Sequence, residues 1–261
     1  MLAASLAGGC SGAVHKLPSL DSSSLGLAQT EVQSGTGAPQ RRAVSDDEVR
    51  STLESSLAKV RPAATQLCRE MGVGVCDWRF VIGKDRSMNA GASANGLIVV
   101  NRGIVEYADN EEEVALVIAH ETGHLSANHP ATAQRNKMIG AVIGAVLLGA
   151  AGALASSRSP YQPSITSSAM DTGMQLGAAI GGISYSKEQE READYLAAVI
   201  LYRSGLDLDK ARVFLVKMAK ASGRKDTGML DTHPAGPERL AAWDKAVAEI
   251  RASNGALPKR N

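Results

Sequence analysis

Six consecutive apolar residues, Val114 to Ala119, run without a break into His120-Glu121-Thr122-Gly123-His124, and this junction constrains the fold more than any other part of the chain. An apolar run that covers every face of a helix belongs in a protein interior. Asn110 can cap that helix, with Glu111, Glu112 and Glu113 set against its positive end. Residues four apart lie on one helical face, so His120 and His124 project together and can share one metal ion. Glu121 sits beside that face. Two surface histidines are the bland alternative for so short a pattern. The preceding apolar run argues against it, because buried His and Glu need polar partners or a metal.

His-Glu-x-x-His is the arrangement in which two imidazoles hold zinc and the glutamate serves as general base. Zinc suits imidazole nitrogen, and a catalytic site keeps three protein ligands and a water. The metal lowers the pKa of that water to about 7, within reach of a nearby carboxylate. The sequence thus predicts one Zn2+ per chain, held by His120 and His124, with Glu121 as base. A third ligand must come from elsewhere. His129 lies about 500° round from His124 on an ideal continuous helix, off the ligand face, and Pro130 suggests that the helix is ending. The better source is Glu188-Gln189-Glu190-Arg191-Glu192-Ala193-Asp194. Glu190 and Asp194 are four apart. One can bind the metal while the other accepts a hydrogen bond from a ligand histidine. Spacing does not say which. The competing reading of this cluster is a solvated acidic helix start.

Around these motifs the chain reads as α+β and mainly helical, with a small sheet beside the active-site helix. A helix is expected from a Ser45 cap to about Met71, stopping before Gly72. Val75 to Ile82 and Leu97 to Val100 read as strands, and residues between Asn101 and Asp109 as a short helix or turn. Ser186 caps a further helix, and Asp207–Ser222 and Pro237–Ala252 form two more. The 261 residues, 44% of them hydrophobic, suffice for one core. A formal net charge of +1 gives no electrostatic reason to expect nucleic acid as a partner.

Taken in order, these segments resemble the M48 metallopeptidases, a group that includes membrane-associated quality-control proteases of the bacterial envelope and of mitochondria. The likeness covers roughly residues 45–250. It is carried by Asn89-Ala90 with Gly96 and Arg102-Gly103, by Glu113 through His124, by Tyr185-Ser186 through Asp194, and by Thr232-His233-Pro234 through Arg239-Leu240. The His-Glu-x-x-His core is common to many zincins; the Glu-x-x-x-Asp and Thr-His-Pro elements in this order are far more specific. The resemblance implies a zincin-like fold, Glu190 as third ligand and Asp194 as the carboxylate behind a ligand histidine. It places His233 and Arg239 at the active site, where His233 either steadies the oxyanion or caps the metal reversibly and Arg239 holds the region together. Asn89 and Ala90 would lie on the edge strand along which an extended polypeptide is laid. The implied function is a zinc endopeptidase acting on misfolded or misassembled envelope proteins. The alternative is a zinc-containing chaperone or assembly factor whose proteolysis is latent. A small-molecule metallohydrolase is disfavoured by the motif order.

The flanks bear on location. Leu6-Ala7-Gly8-Gly9-Cys10 resembles a lipobox, although Leu stands one place further from Cys than usual and no basic residue precedes it. Residues 1–10 are expected to be a lipoprotein signal remnant, 11–44 a flexible tether, and 45–255 the metallopeptidase domain with an apolar insert at 138–184. Met138–Ala155 is uncharged and, at roughly 18 residues, at the lower limit for a membrane span. A single span would part His120 from Glu190. The insert is therefore expected to cover the cleft or touch a membrane surface, with two spans as the alternative. The expected setting is periplasmic, as an outer-membrane lipoprotein held by lipid on Cys10; two spans would make it an inner-membrane protein. In such a compartment Cys68 and Cys76 can form a disulfide; two separate buried thiols are the other reading.

Overall fold

The computed structural model describes residues 12–34, 39–136, 184–221, 233 and 235–261. Cys10, almost all of the apolar insert, Thr232 and Pro234 lie outside these residues.

Local capping chemistry sets the element boundaries. Helix α1 spans Ser22–Ser34 and α2 spans Asp46–Met71. The side chain of Ser45 accepts from the Glu48 N–H at the start of α2, and Gly72 closes its end in the left-handed region at φ 66°. Three short strands follow: β1 Arg79–Gly83, β2 Ala90–Ala92 and β3 Leu97–Asn101. The sheet order is β1-β3-β2. β1 runs parallel to β3, with Arg79 opposite Leu97, and β2 runs antiparallel to it, with Ala90 opposite Val100. Helix α3, Arg102–Tyr107, leaves β3 directly. Helix α4, Glu111–Ser126, begins on an Asn110 cap and carries the His-Glu-x-x-His motif in its last turns. Helix α5, Lys187–Arg203, opens with a reciprocal capping box between Ser186 and Gln189. Helices α6, Leu208–Ala221, and α7, Pro237–Ala252, follow.

Helix α4 is the hub. Every residue from Glu113 to Ser126 is buried, as the apolar run requires. It packs chiefly against α5 and α2, with α6 and the sheet on its other flanks. Ile98, Leu116, Leu196, Phe214 and Trp243 join one continuous core. Gly123 permits a close approach of α4 to α5: a Cβ there would lie 3.0 Å from the Ala193 carbonyl oxygen and 3.3 Å from the Leu196 Cβ. The helix bearing the acidic cluster is thereby pressed onto the helix bearing the histidines.

Three expectations change. Residues 11–44 were expected to be a tether, yet α1 packs against α6 and α7 and Ala28 is buried. Composition alone underrated this segment. Its few apolar residues, Leu17, Leu20, Leu25 and Val32, dock on a core that the rest of the chain provides. The first strand starts at Arg79 rather than Val75, because the Val75 N–H donates to the Leu125 carbonyl at the end of α4, at 3.3 Å, and Cys76 is tied to Cys68 on α2. Cys68 and Cys76, left open between two readings, are joined by a disulfide. Among the described residues no helix is long and apolar enough to cross a membrane.

Candidate metal centre

The last turns of α4, the first turns of α5 and the segment before α7 converge on one buried cluster. His120 and His124 come from α4, Glu190 from α5, and His233 from the segment before α7. His120 Nε2 lies 3.0 Å from His124 Nε2 and 3.3 Å from His233 Nδ1. Glu190 Oε1 lies 3.3 Å from His124 Nε2 and 2.9 Å from His233 Nδ1, and Oε2 lies 3.5 Å from His120 Nε2. Tetrahedral donors at about 2.0–2.1 Å from one ion stand about 3.3 Å from each other. The observed separations bracket that value.

Hydrogen bonding behind the cluster supports the same fit. His120 Nδ1 is 2.9 Å from Asp194 Oδ1, an acceptor, so Nδ1 carries a proton and donates it. A neutral His120 therefore aims a bare Nε2 at the other donors, and something positive must sit among them. In the metal-free protein that role falls to a second proton. Burial opposes protonation of His120, but the Asp194 and Glu190 carboxylates outweigh it and lift its pKa to about 9. Burial is the main reason that His124 is pushed well below its usual value, so it stays neutral.

Buried charge of both signs surrounds the donors. Glu121, Glu190 and Asp194 are all buried, and among the described residues Arg239 is a buried cation facing them. Arg239 donates to both Asp194 oxygens, at 2.8 and 2.7 Å, and its Nη1 lies 3.1 Å from Glu190 Oε2. Burial alone would raise the pKa of Asp194 and Glu190; Arg239 and the histidines more than reverse this and hold both carboxyls low. Glu121 goes the other way: its burial outweighs the nearby positive groups and raises its pKa. Both Glu121 oxygens and His233 Nε2 are buried without a hydrogen-bond partner, although His233 Nε2 stands 3.4 Å from Glu121 Oε1. Orphaned atoms of this kind, around donors at tetrahedral spacing, fit a metal ion with a polar ligand beside it.

The structure thus brings together His120, Glu121, His124, Glu190, Asp194, His233 and Arg239. Ala90 opens β2 and Asn89 precedes it; β2 is one of the two edge strands of the sheet and touches α4; Ala90 is buried and Asn89 partly so. Other residues at the site are ones to which the sequence assigned no role there. Tyr185 stacks on His124, with ring centroids 3.9 Å apart. His129 Nδ1 lies 3.0 Å from His124 Nδ1. The helical extrapolation that set His129 aside fails because the chain turns at Asn128, whose φ of 59° is left-handed, and His129 folds back. Glu192, which a surface reading of the acidic cluster had left to solvent, is fully buried beside His129.

The sequence matches Peptidase family M48 over residues 55–247. The chain belongs to that family. It is 32% identical over 175 residues to the beta-barrel assembly-enhancing protease of Escherichia coli strain K12, a match covering 66% of this chain and 34% of that protein. It is 28% identical over 183 residues to the mitochondrial metalloendopeptidase OMA1 of Arabidopsis thaliana, covering 69% of this chain and 33% of the relative. Metalloprotease LoiP of Escherichia coli strain K12 matches at 27% over 227 residues, covering 80% of this chain and 84% of LoiP. Against the first of these the M48 chain described here spans only about a third of the relative's length.

Proposed function

We propose that this M48 chain is a zinc metalloendopeptidase, with His120, His124 and Glu190 as metal ligands and Glu121 as general base. One observation carries the reading. Two imidazole nitrogens and a carboxylate converge at tetrahedral spacing, with a fully buried, unpartnered Glu121 carboxylate beside them. Bound there, zinc supplies Lewis acidity that acidifies water and polarises a peptide carbonyl. Asp194 holds the His120 ring with its Nε2 toward the metal, and Arg239 holds Asp194. Glu121, its pKa raised by burial, is a stronger base than an exposed glutamate. It takes a proton from the attacking water and delivers it to the leaving amine. Asn89 and Ala90, at an edge strand of the sheet, offer a backbone edge on which an extended polypeptide can align.

A second reading rests on His233. Its Nδ1 lies among the other donors as a fourth ligand atom, where a water or substrate would otherwise sit. With Nδ1 so placed, Nε2 points at Glu121. Placed so, His233 would fill the open position of a bound metal and engage the base, the arrangement that a latent state needs. A zinc-containing chaperone or assembly factor with rare cleavage would use it as its resting form. Misfolded or misassembled envelope proteins are the substrate class in either case, a proposal drawn from relatives whose names refer to beta-barrel assembly and to mitochondria. A periplasmic chain, anchored through lipid on Cys10 and touching the membrane with its apolar insert, fits that role.

Metal content and casein cleavage of the wild type, Glu121→Gln and His233→Ala test these readings together. Glu121→Gln is expected to keep zinc and lose proteolysis by at least a hundredfold. Full proteolysis in Glu121→Gln defeats the mechanism. Faster cleavage by His233→Ala supports a cap; zinc without cleavage in every variant favours the chaperone.

A further inference from the structure

Behind His124 lies a chain of buried groups that peptide hydrolysis does not use. His124 Nδ1 meets His129 Nδ1 at 3.0 Å, and His129 Nε2 meets Glu192 Oε2 at 3.0 Å. The Glu192 carboxylate continues the chain into the N-terminal segment. The Val14 N–H donates to Oε2 at 2.8 Å and the His15 N–H to Oε1 at 2.9 Å; His15 Nδ1 lies 2.6 Å from Oε1. His15, His129 and Glu192 are all buried, as is His124. The N-terminal segment is itself clamped. Lys16 N–H donates to the Lys259 carbonyl and Asn261 N–H to the Val14 carbonyl, around an antiparallel bridge between His15 and Arg260.

Proton positions along this chain follow from one end. A carboxylate only accepts, and it offers about four acceptor positions. Here all four are filled, by His129, by the Val14 N–H and by His15 twice. His129 therefore carries its proton on Nε2, and its Nδ1 is left as an acceptor. The group facing that acceptor is His124 Nδ1, which must then donate. His124 is thereby fixed as the tautomer whose bare Nε2 points at His120 and Glu190. Asp194 does the same for His120 in one step; for His124 the carboxylate acts through an intervening imidazole. Outer partners of this kind usually fix ligand tautomer and ring orientation.

We infer that His129 and Glu192 are positioning residues for His124, and that the segment Val14–His15 is the clamp that holds Glu192 in register, so that the N-terminal segment contributes to metal affinity across the domain. The inference rests on the metal-centre reading above. Glu192→Gln cannot satisfy the same neighbours, since an amide puts its own N–H groups against at least one of the donors. His129→Leu leaves the His124 Nδ1–H without its acceptor. His15→Ala removes one of the four donors and leaves the backbone pair.

The test is zinc affinity of the full chain, measured by chelator competition, with nitrogen-15 NMR of the imidazoles in the metal-free protein. Glu192→Gln and His129→Leu are expected to weaken zinc binding about 10- to 100-fold and to shift His124 away from the Nδ1–H tautomer; His15→Ala should weaken binding by less. Glu190→Gln is the control for the centre itself. If Glu190→Gln keeps full affinity, the metal-centre reading fails. If Glu190→Gln loses zinc while Glu192→Gln and His129→Leu bind within twofold of wild type, the positioning role is wrong. Should Glu192→Gln fail to fold, His15→Ala decides: unchanged affinity and an unchanged His124 tautomer overturn the clamp.

Discussion

At the scale of single residues, the centre is a balance of buried charges in which Arg239 has the widest reach. It touches two of the carboxylates that face the histidines, Asp194 through two hydrogen bonds and Glu190 as an ion pair. Removing one partner from a buried pair usually costs about 3–5 kcal/mol, because the other charge is stranded. Arg239→Met is therefore expected to destabilise the metal-free protein by about that amount, and added zinc should restore part of the loss by neutralising the stranded carboxylates. Denaturant unfolding with and without chelator measures both; a change below 1 kcal/mol without metal would show that Arg239 is not the main counter-charge. His120, Glu121 and His124 were legible in the sequence because helical spacing alone puts them on adjoining faces. His129 was not, since its position depends on one left-handed residue, Asn128. Glu192 was missed because a spacing of four picks out Glu190 and Asp194, and nothing local says that the residue between them is also buried.

At the scale of elements, the geometry of the centre depends on how closely α5 lies on α4. Gly123, between the two α4 histidines, sets that distance. Gly123→Ala is a contest between two effects. Alanine favours the helix by about 1 kcal/mol. Its Cβ, however, would meet the Ala193 carbonyl oxygen at 3.0 Å, so α5 must give by a few tenths of an ångström. Overpacking of this kind costs about 1–3 kcal/mol. The net is a loss of up to about 2 kcal/mol, so the melting temperature of the metal-free protein should stay level or fall by several degrees. Zinc affinity should still fall severalfold, because Glu190 and Asp194 move with α5 while the histidines stay. Unchanged affinity with a raised melting temperature would mean that the interface relaxes without moving the acids. Element boundaries were the most legible part of the fold. Ser45, Gly72, Asn110 and Ser186 announce their helix ends by side-chain chemistry that acts within a few residues. The start of β1 depended instead on a distant neighbour, the end of α4.

At the scale of the whole molecule, the N-terminal segment is bound into the domain by charge as much as by apolar contact. Asp21 pairs with Lys245 on α7 at 2.7 Å, and Glu31 on α1 takes two hydrogen bonds of 2.7 Å from Arg212, which also holds Asp244. Composition could not show this attachment, because each anchor lies roughly 180 to 220 positions away in the sequence. The same anchors make it sensitive to acid. The Lys245 hydrogen bond is the main cause that lowers Asp21 to about 2, and the Arg212 hydrogen bonds lower Glu31. Both carboxyls are depressed in the folded state, so their contribution is complete above their ordinary values of 3.8 and 4.5 and is lost as pH falls below them, for Asp21 through about 2. Hydrogen exchange on the chelator-treated protein is therefore expected to find residues 22–34 as protected at pH 5 as at pH 7. Protection should decline between about pH 4 and pH 2, ahead of α4 and α5, which are buried in the core and open only with it. High salt should hasten the release, since the Asp21–Lys245 pair and the carboxylates on Arg212 are exposed enough to be screened. Release already near pH 6, or no difference between α1 and α4 at pH 3, would show that apolar packing and not these ion pairs holds the segment in place.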